Sequence, residues 1–501
     1  MLSLEILAFV LYFVLVLGVG LVFFFKSKGG GEKEYFLGGR SMGPWVTAMS
    51  AQASDMSGWL LMGFPGSIFA FGLGQVWIGI GLALGTIANW LLVAKRLRRF
   101  SKAANDSITI PQYLSNRFAA QSPALRIICA IVFLVFFTVY VASSFVAGST
   151  VFTTVIPQLQ GHEDLAMIIF VVIIILYTFS GGFKAVCWTD FFQGIMMLVA
   201  LMAVPIVIIA TKNLDTALLD IPYTTATGDT YVFQKSFFAS WQDIVSGLAW
   251  GLGYFGMPHI LVRFMSIKNS KMIKKSATVA IVWVILSLFA AILIAYFGRM
   301  LVADQLLPDG NQKLIFIKLA RDLFPPFVAG ILLSAIIAAS MSTADSQLLV
   351  ASSSFTSDIY KPVFRKKASD KETLWVGRLV VIIIAVVAYF IASSKSSGAQ
   401  SIMEMVENAW GGFGSAFGPV IIFSIFWKRM TYKGAVAGVV GGAVTDVLWL
   451  LFLTDKTGIY ELLPGFIVGA VCCLVVSLID KKPSLEVEKI FETALDKSID
   501  D

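Results

Sequence analysis

Apolar runs of about twenty residues recur along almost the whole chain, separated by short polar segments. They fall near 4–26, 44–70, 74–94, 124–156, 164–181, 185–211, 237–264, 272–303, 324–352, 373–394, 400–427, 432–454 and 459–479. This pattern predicts an all-α integral membrane protein with about 13 transmembrane helices. The first run has no basic segment before it and no small-x-small cleavage site after it, so it reads as a retained span rather than a signal peptide.

The polar segments alternate in charge. Lys26, Lys28, Lys33 and Arg40 follow span one, and Lys95, Arg96, Arg98, Arg99 and Lys102 follow span three. Lys184 follows span five, and Arg263, Lys268, Lys271, Lys274 and Lys275 follow span seven. Further basic groups sit at 361–371, 428–433 and 481–482, whereas "QLQGHEDL" and "LLDIPYTTATGDT" are neutral or acidic. Cytoplasmic loops carry the excess of Lys and Arg. The alternation predicts an N-terminus outside, a C-terminus in the cytoplasm and a place in the cell membrane. Residues 1–481 read as one transmembrane domain and 482–501 as a short cytoplasmic tail.

Composition agrees. The chain is 57% hydrophobic and 14% charged, against about 25% charged in soluble domains, and its mean hydropathy is +0.83. The net charge of +7 is spent on orientation, so no nucleic-acid partner is expected. The partner implied is the lipid bilayer. Four cysteines in apolar runs and two histidines give no disulfide framework or histidine-built metal site. The sequence does not fix an oligomeric state.

Two spans are interrupted. Span two contains Ala53-Ser54-Asp55-Met56-Ser57-Gly58, and span seven reads "GLAWGLGYFGMPHI" with Gly251, Gly253, Gly256 and Pro258. Irregular backbone at membrane depth survives only where it lines a cavity. The two spans stand five apart and so run in opposite directions, as a five-plus-five inverted repeat requires. The repeats would cover about 44–211 and 237–427. "GLGYFG" fits G-x-G-x-x-G literally, but its flanks cross the membrane, which excludes a dinucleotide fold.

Span nine carries "AASMSTADSQLL". Ala339, Ser342 and Thr343 share one helical face and offer a carbonyl and two hydroxyl oxygens. With unwound carbonyls near Ala53 and Met56 they make about five oxygens, enough for a hard monovalent cation, with Asp55 balancing the charge indirectly or on entry. The alternative is tight packing, with the hydroxyls bonded back to their own helix. Asp190, Asp345 and Ser346 form a possible second cation site or exit path, since an intramembrane ionisable group is a functional candidate by default. Asp190 paired with Lys184 is the structural alternative.

"FLGGRSMGPWVTAMSAQASDMSGWLLMGFPG", "FFTVYVAS", "WGLGYFGMPHILVRFM" and "AGILLSAIIAASMSTADSQLLV" resemble the sodium:solute symporter family, and its proline-carrying branch most closely. The likeness runs from the first span to "PGFIVGA" in the last. It implies the leucine-transporter-like fold, with helices two and seven broken, and a sodium ion at Ala53, Met56, Ala339, Ser342 and Thr343, with Asp55 important for it. It implies second-site residues at Asp190, Ser342, Asp345 and Ser346. It also implies a small zwitterionic substrate, L-proline, near Ser57, Gly58, Trp59, Tyr140, Trp250, Tyr254, Met257 and Pro258. Met257 departs from the pattern, which places glutamine there. Helix-start N–H groups suit a carboxylate, and aromatic faces suit a ring and its ammonium. For each aromatic, lipid-facing packing is the alternative.

The expected function is secondary active transport, with inward sodium movement driving uptake by alternating access, and no enzymatic chemistry. The rival readings are the same scaffold carrying another amino acid, a sugar, sialic acid or pantothenate; a transporter-like sensor, which the short tail opposes; and a channel.

Overall fold

A computed structural model describes residues 4–26, 31–394 and 402–500. Lys28 and the start of the eleventh expected span, 400–401, lie outside them. The chain is helical nearly throughout. The principal helices are α1 (Leu4–Lys26), α2 (Pro44–Asp55), α3 (Phe64–Phe71), α4 (Val76–Ala88), α5 (Ala124–Val155), α6 (Glu163–Thr211), α7 (Trp241–Ala249) and α8 (Pro258–Ser266). They continue with α9 (Ile273–Leu306), α10 (Pro326–Ser354), α11 (Asp370–Ala392), α12 (Ile402–Phe426), α13 (Tyr432–Phe452), α14 (Leu462–Ile479) and α15 (Leu485–Leu495). A two-stranded hairpin, β1 (Tyr223–Thr224) and β2 (Thr230–Tyr231), lies in the segment after α6.

Among the described residues ten helices are long and apolar enough to cross a membrane, eleven if the bent pair Trp241–Phe255 and Pro258–Ser266 is one span. The second and fifth expected spans account for the difference from thirteen. The second is broken after Asp55. The fifth is the first part of α6, a 49-residue stretch interrupted at Gly182, whose φ of 61° and ψ of −179° are not helical. The Tyr177 hydroxyl touches Thr189, twelve residues on. In a straight helix those residues would be about 18 Å apart. The chain therefore folds back at Gly182, and α6 is two antiparallel limbs.

The helices sort by burial. α10 is buried without a break from Leu332 to Ser354, as a helix with no amphipathic face must be. It packs on α1, α2, α5 and α6. α1 exposes Leu4, Leu7, Val10, Leu11, Val14 and Leu15, the surface a bilayer would cover. Broken span seven lies backbone to backbone on α4: a Cβ on Gly85 would stand 2.2 Å from the Gly251 carbonyl. Only glycine permits that approach. At the far end, α15 packs on the helix Ala94–Ala103, with the Phe491 and Phe100 rings 5.1 Å apart, so part of the tail docks on the body.

Candidate functional site

The break in span two begins at Met56, whose φ of −85° and ψ of 75° leave the helix. A continuing helix would bond the Ser57 N–H to the Ala53 carbonyl and the Leu60 N–H to that of Met56. Instead Ser57 N–H donates to Asp55 O at 3.0 Å, and Leu60 N–H to Ser57 O at 3.1 Å. Both carbonyls are thus released from the ladder. The helix resumes through a turn at Trp59–Gly63 and α3. Gly58 is the contact point with the rest of the bundle: a Cβ there would lie 2.7 Å from Ala147 Cβ and 3.0 Å from Ser340 Oγ.

α10 brings its small-residue face to the freed carbonyls. The Ser342 hydroxyl donates to Ala53 O at 2.8 Å and is 3.2 Å from Ala339 O. Thr343 Oγ1 is buried with no partner. The back-bonding alternative therefore describes half of Ser342's geometry and none of Thr343's. Thr343's orphaned hydroxyl, on the helix whose Ser342 reaches Ala53 O, and the carbonyls released at the break are oxygens of the kind that suits a hard cation.

Asp55 is buried at the end of α2. Its Oδ2 accepts the Tyr254 hydroxyl at 2.6 Å, its Oδ1 has no partner, and its carbonyl lies 3.4 Å from the Tyr140 hydroxyl. Tyr254 belongs to the second break. There α7 passes into a tight helical turn, Trp250–Phe255, and Met257 at φ −72°, ψ 108° leads into Pro258 at the start of α8. The two halves bend by 43°. The two breaks meet through the Asp55–Tyr254 hydrogen bond.

Aromatic rings close the same space. The Trp59 and Trp250 rings are 6.4 Å apart. Trp59, Tyr140, Trp250, Tyr254 and Met257 are all buried, which removes the lipid-facing alternative for the four aromatics.

Residues that the sequence reading passed over complete the frame. The Asn89 amide donates to Tyr254 O at 2.9 Å, and the Trp410 indole to Trp250 O at 2.8 Å. Trp410 also meets the Tyr254 ring edge-on at 5.0 Å. Gly253 makes room for it, since a Cβ there would lie 2.0 Å from the indole nitrogen. Asn89 and Trp410 sit in apolar runs with no local signal.

Arg263 is not the loop cation that the charge alternation suggests: it is fully buried in α8. It donates to Ser50 Oγ at 2.9 Å, His259 O at 2.7 Å, Asp190 Oδ2 at 3.0 Å and Ser346 Oγ at 2.5 Å. Asp190 also accepts from Ser50 at 2.6 Å. Its partner is thus Arg263, whereas Lys184 pairs with Glu34. Asp190, Asp345 and Ser346 do lie together, with Asp190 Oδ1 and Asp345 Oδ2 unpartnered. An arginine inside an apolar run was the available signal for this cluster.

The family model "Sodium:solute symporter family" matches residues 35–442. The chain belongs to that family. It is 44% identical over 465 residues to the sodium/proline symporter of Escherichia coli K12, covering 92% of this chain and 90% of the relative. It is 46% identical over 460 residues to the high-affinity proline transporter PutP of Bacillus subtilis 168, covering 91% and 95%. A solved substrate-bound, outward-open Na+-coupled sialic acid symporter superposes with a TM-score of 0.73 at 19% identity, covering 96% of this chain and 99% of the other. That likeness speaks to the fold. The chain is an all-helical, multi-pass membrane protein with the leucine-transporter-like architecture, and its relatives are symporters.

Proposed function

We propose that this protein couples inward sodium movement to uptake of L-proline by alternating access. The observation that carries the reading is the convergence at the first break: released Ala53 and Met56 carbonyls, Ser342 and orphaned Thr343 on one side, and Asp55 with the aromatic group on the other. Relatives named for sodium and proline, 44% and 46% identical, support the choice of ion and solute.

Sodium at Ala53, Met56, Ala339, Ser342 and Thr343 ties the break after α2 to α10. That fixes Ser57, Gly58 and Trp59 where the helix restarts, and a helix start suits the substrate carboxylate. Trp59, Tyr140, Trp250 and Tyr254 receive the pyrrolidine ring and its secondary ammonium, with Met257 and Pro258 shaping the floor. Ion and solute then raise each other's affinity. The membrane potential contributes about 2.3 kcal/mol per charge per 100 mV. Asp55 attracts the ion without ligating it, held by Tyr254. A second cation at Asp190, Asp345 and Ser346 rests on their two orphaned oxygens. Against it stands Arg263, whose guanidinium already answers Asp190 and Ser346. The N-terminus faces outside and the C-terminus the cytoplasm of a cell membrane, on the charge alternation of the loops.

The test is labelled L-proline uptake into proteoliposomes under an inward gradient of sodium or of potassium. Uptake driven by sodium alone supports the reading. Sodium-dependent stabilisation with no proline uptake moves the search to Met257→Gln and other small solutes.

A further inference from the structure

A second group of buried carboxyls lies outside the sodium and substrate residues, where α12, α13 and α14 meet. Asp446 of α13 and Glu461, just before α14, are each 1% exposed. Both converge on Gly411 of α12: a Cβ there would stand 3.0 Å from Asp446 Oδ1, 3.4 Å from Glu461 Cγ and 3.4 Å from the Tyr460 hydroxyl. Asp446 Oδ1 accepts from Ser415 at 2.9 Å, and Glu461 Oε2 from Thr454 at 3.3 Å. The other two oxygens, Asp446 Oδ2 and Glu461 Oε1, are buried without a partner.

Among the described residues no cation is paired with these carboxyls. α12, α14 and α7 carry no lysine or arginine. On α13, Lys433 pairs with Asp480 at the opposite end. On α5, which also touches α13, Arg126 pairs with Asp358. Lys456 of the short helix Thr454–Thr457 is exposed beside Asp455. Glu404 and Glu407 of α12, and Asp243 of α7, add only negative charge. The packing is tight: a Cβ on Gly442 or Gly465 would stand 2.0 Å from Ser415 O or 2.3 Å from Ser415 Oγ. Two adjacent carboxylates without a counter-ion cannot both stay ionised in such a place. Among the described residues no group of three or more His, Cys, Asp or Glu side chains is placed to hold a metal ion. A proton on one of the two carboxyls removes the repulsion with no further ligand.

The pair adjoins the substrate aromatics. The Tyr460 ring stacks on Trp250 at 5.2 Å, and its hydroxyl donates to Glu407 O at 2.8 Å. Trp250 is in turn held by Trp410, one residue before Gly411.

We propose that Asp446 and Glu461 hold one exchangeable proton between them, and that its loss frees Tyr460 from Trp250 and weakens substrate binding. When the proton leaves, two negative charges repel across Gly411, and Tyr460, the neighbour of Glu461 in the chain, moves with it. This regulation rests on the substrate reading above; the proton site itself does not.

The experiment therefore has two arms, both on the full chain in lipid nanodiscs between about pH 5 and about pH 9. Infrared difference spectroscopy reads the band of a protonated, buried carboxyl group. The wild type is expected to lose such a band as pH rises, and both Asp446→Asn and Glu461→Gln to remove that change. Equilibrium L-proline binding is expected to weaken about fivefold or more across the range in the wild type and to stay flat in both variants. If one variant does not fold, the other decides. An infrared change identical in wild type and variants overturns the proton site. A variant that keeps the wild-type pH profile of binding overturns the coupling. Absence of proline binding at every pH sinks the substrate reading and the coupling built on it, and leaves the infrared arm to judge the site.

Discussion

Replacing Arg263 by methionine keeps most of the side-chain volume and removes a guanidinium that makes four buried hydrogen bonds, to Ser50, His259, Asp190 and Ser346. Asp190 is then left buried with the Ser50 hydroxyl as its one remaining donor. Removing one partner of a buried ion pair costs about 3–5 kcal/mol, because the other charge stays behind without compensation. The double variant Arg263→Met/Asp190→Asn removes that charge too, so it should recover about half of the loss. The assay is thermal unfolding of the purified protein in detergent, in potassium buffer so that sodium binding does not contribute. Arg263→Met should melt several degrees below wild type and the double variant between the two. Equal melting of single and double variants, at any temperature, would refute the argument that an uncompensated Asp190 is the source of the cost.

Three further outcomes follow from the same geometry. Tyr254→Phe takes from Asp55 its 2.6 Å hydrogen bond, which should cost about 1.5–3 kcal/mol and raise the sodium concentration that half-saturates uptake; an unchanged sodium dependence counts against Asp55's role. Gly58→Ala places a Cβ 2.7 Å from Ala147 Cβ, and overpacking of about 1–3 kcal/mol at the break should abolish uptake while the protein still reaches the membrane; normal uptake would place the break elsewhere. At Asp106, burial alone would raise the carboxyl pKa, but the Lys33 hydrogen bond and the charges of Arg40, Lys33 and Lys102 outweigh it and hold the pKa below the ordinary value. Its stabilisation is therefore present above about pH 4 and lost as pH falls through the depressed value. Asp106→Asn should flatten that part of the acid melting profile.

Much of the architecture is visible in periodicity because lipid leaves the chain few choices: a backbone in hydrocarbon must be helical or part of a closed barrel, and runs of about twenty apolar residues fit the helix. The interruptions at Asp55 and Gly251–Pro258 stood out for the same reason, as polar or helix-breaking residues where neither is cheap. The 3.6-residue period placed Ala339, Ser342 and Thr343 on one face before any contact was known. What the pattern could not supply is pairing across the bundle. Nothing local in "AWGGFG" says that Trp410 holds the Trp250 carbonyl, or that Gly253 makes way for it. Asp190 had a basic residue nearby in sequence, Lys184, yet its partner is 73 positions away. Arg263 was hidden by the loop lysines that follow it. Loop charge reports orientation only for residues that are in loops, and burial decides which those are.

On the proposed function, the break that follows α2 serves ion and solute together. Equilibrium binding of L-proline, measured at rising sodium in the wild type and in Thr343→Ala, tests it most directly. The account predicts that sodium tightens wild-type binding by about fivefold or more. In Thr343→Ala, sodium-free affinity should be unchanged and the sodium effect lost. A Thr343→Ala variant that sodium tightens as it does the wild type would contradict the account, because the orphaned hydroxyl on α10 would then have no part in holding the ion.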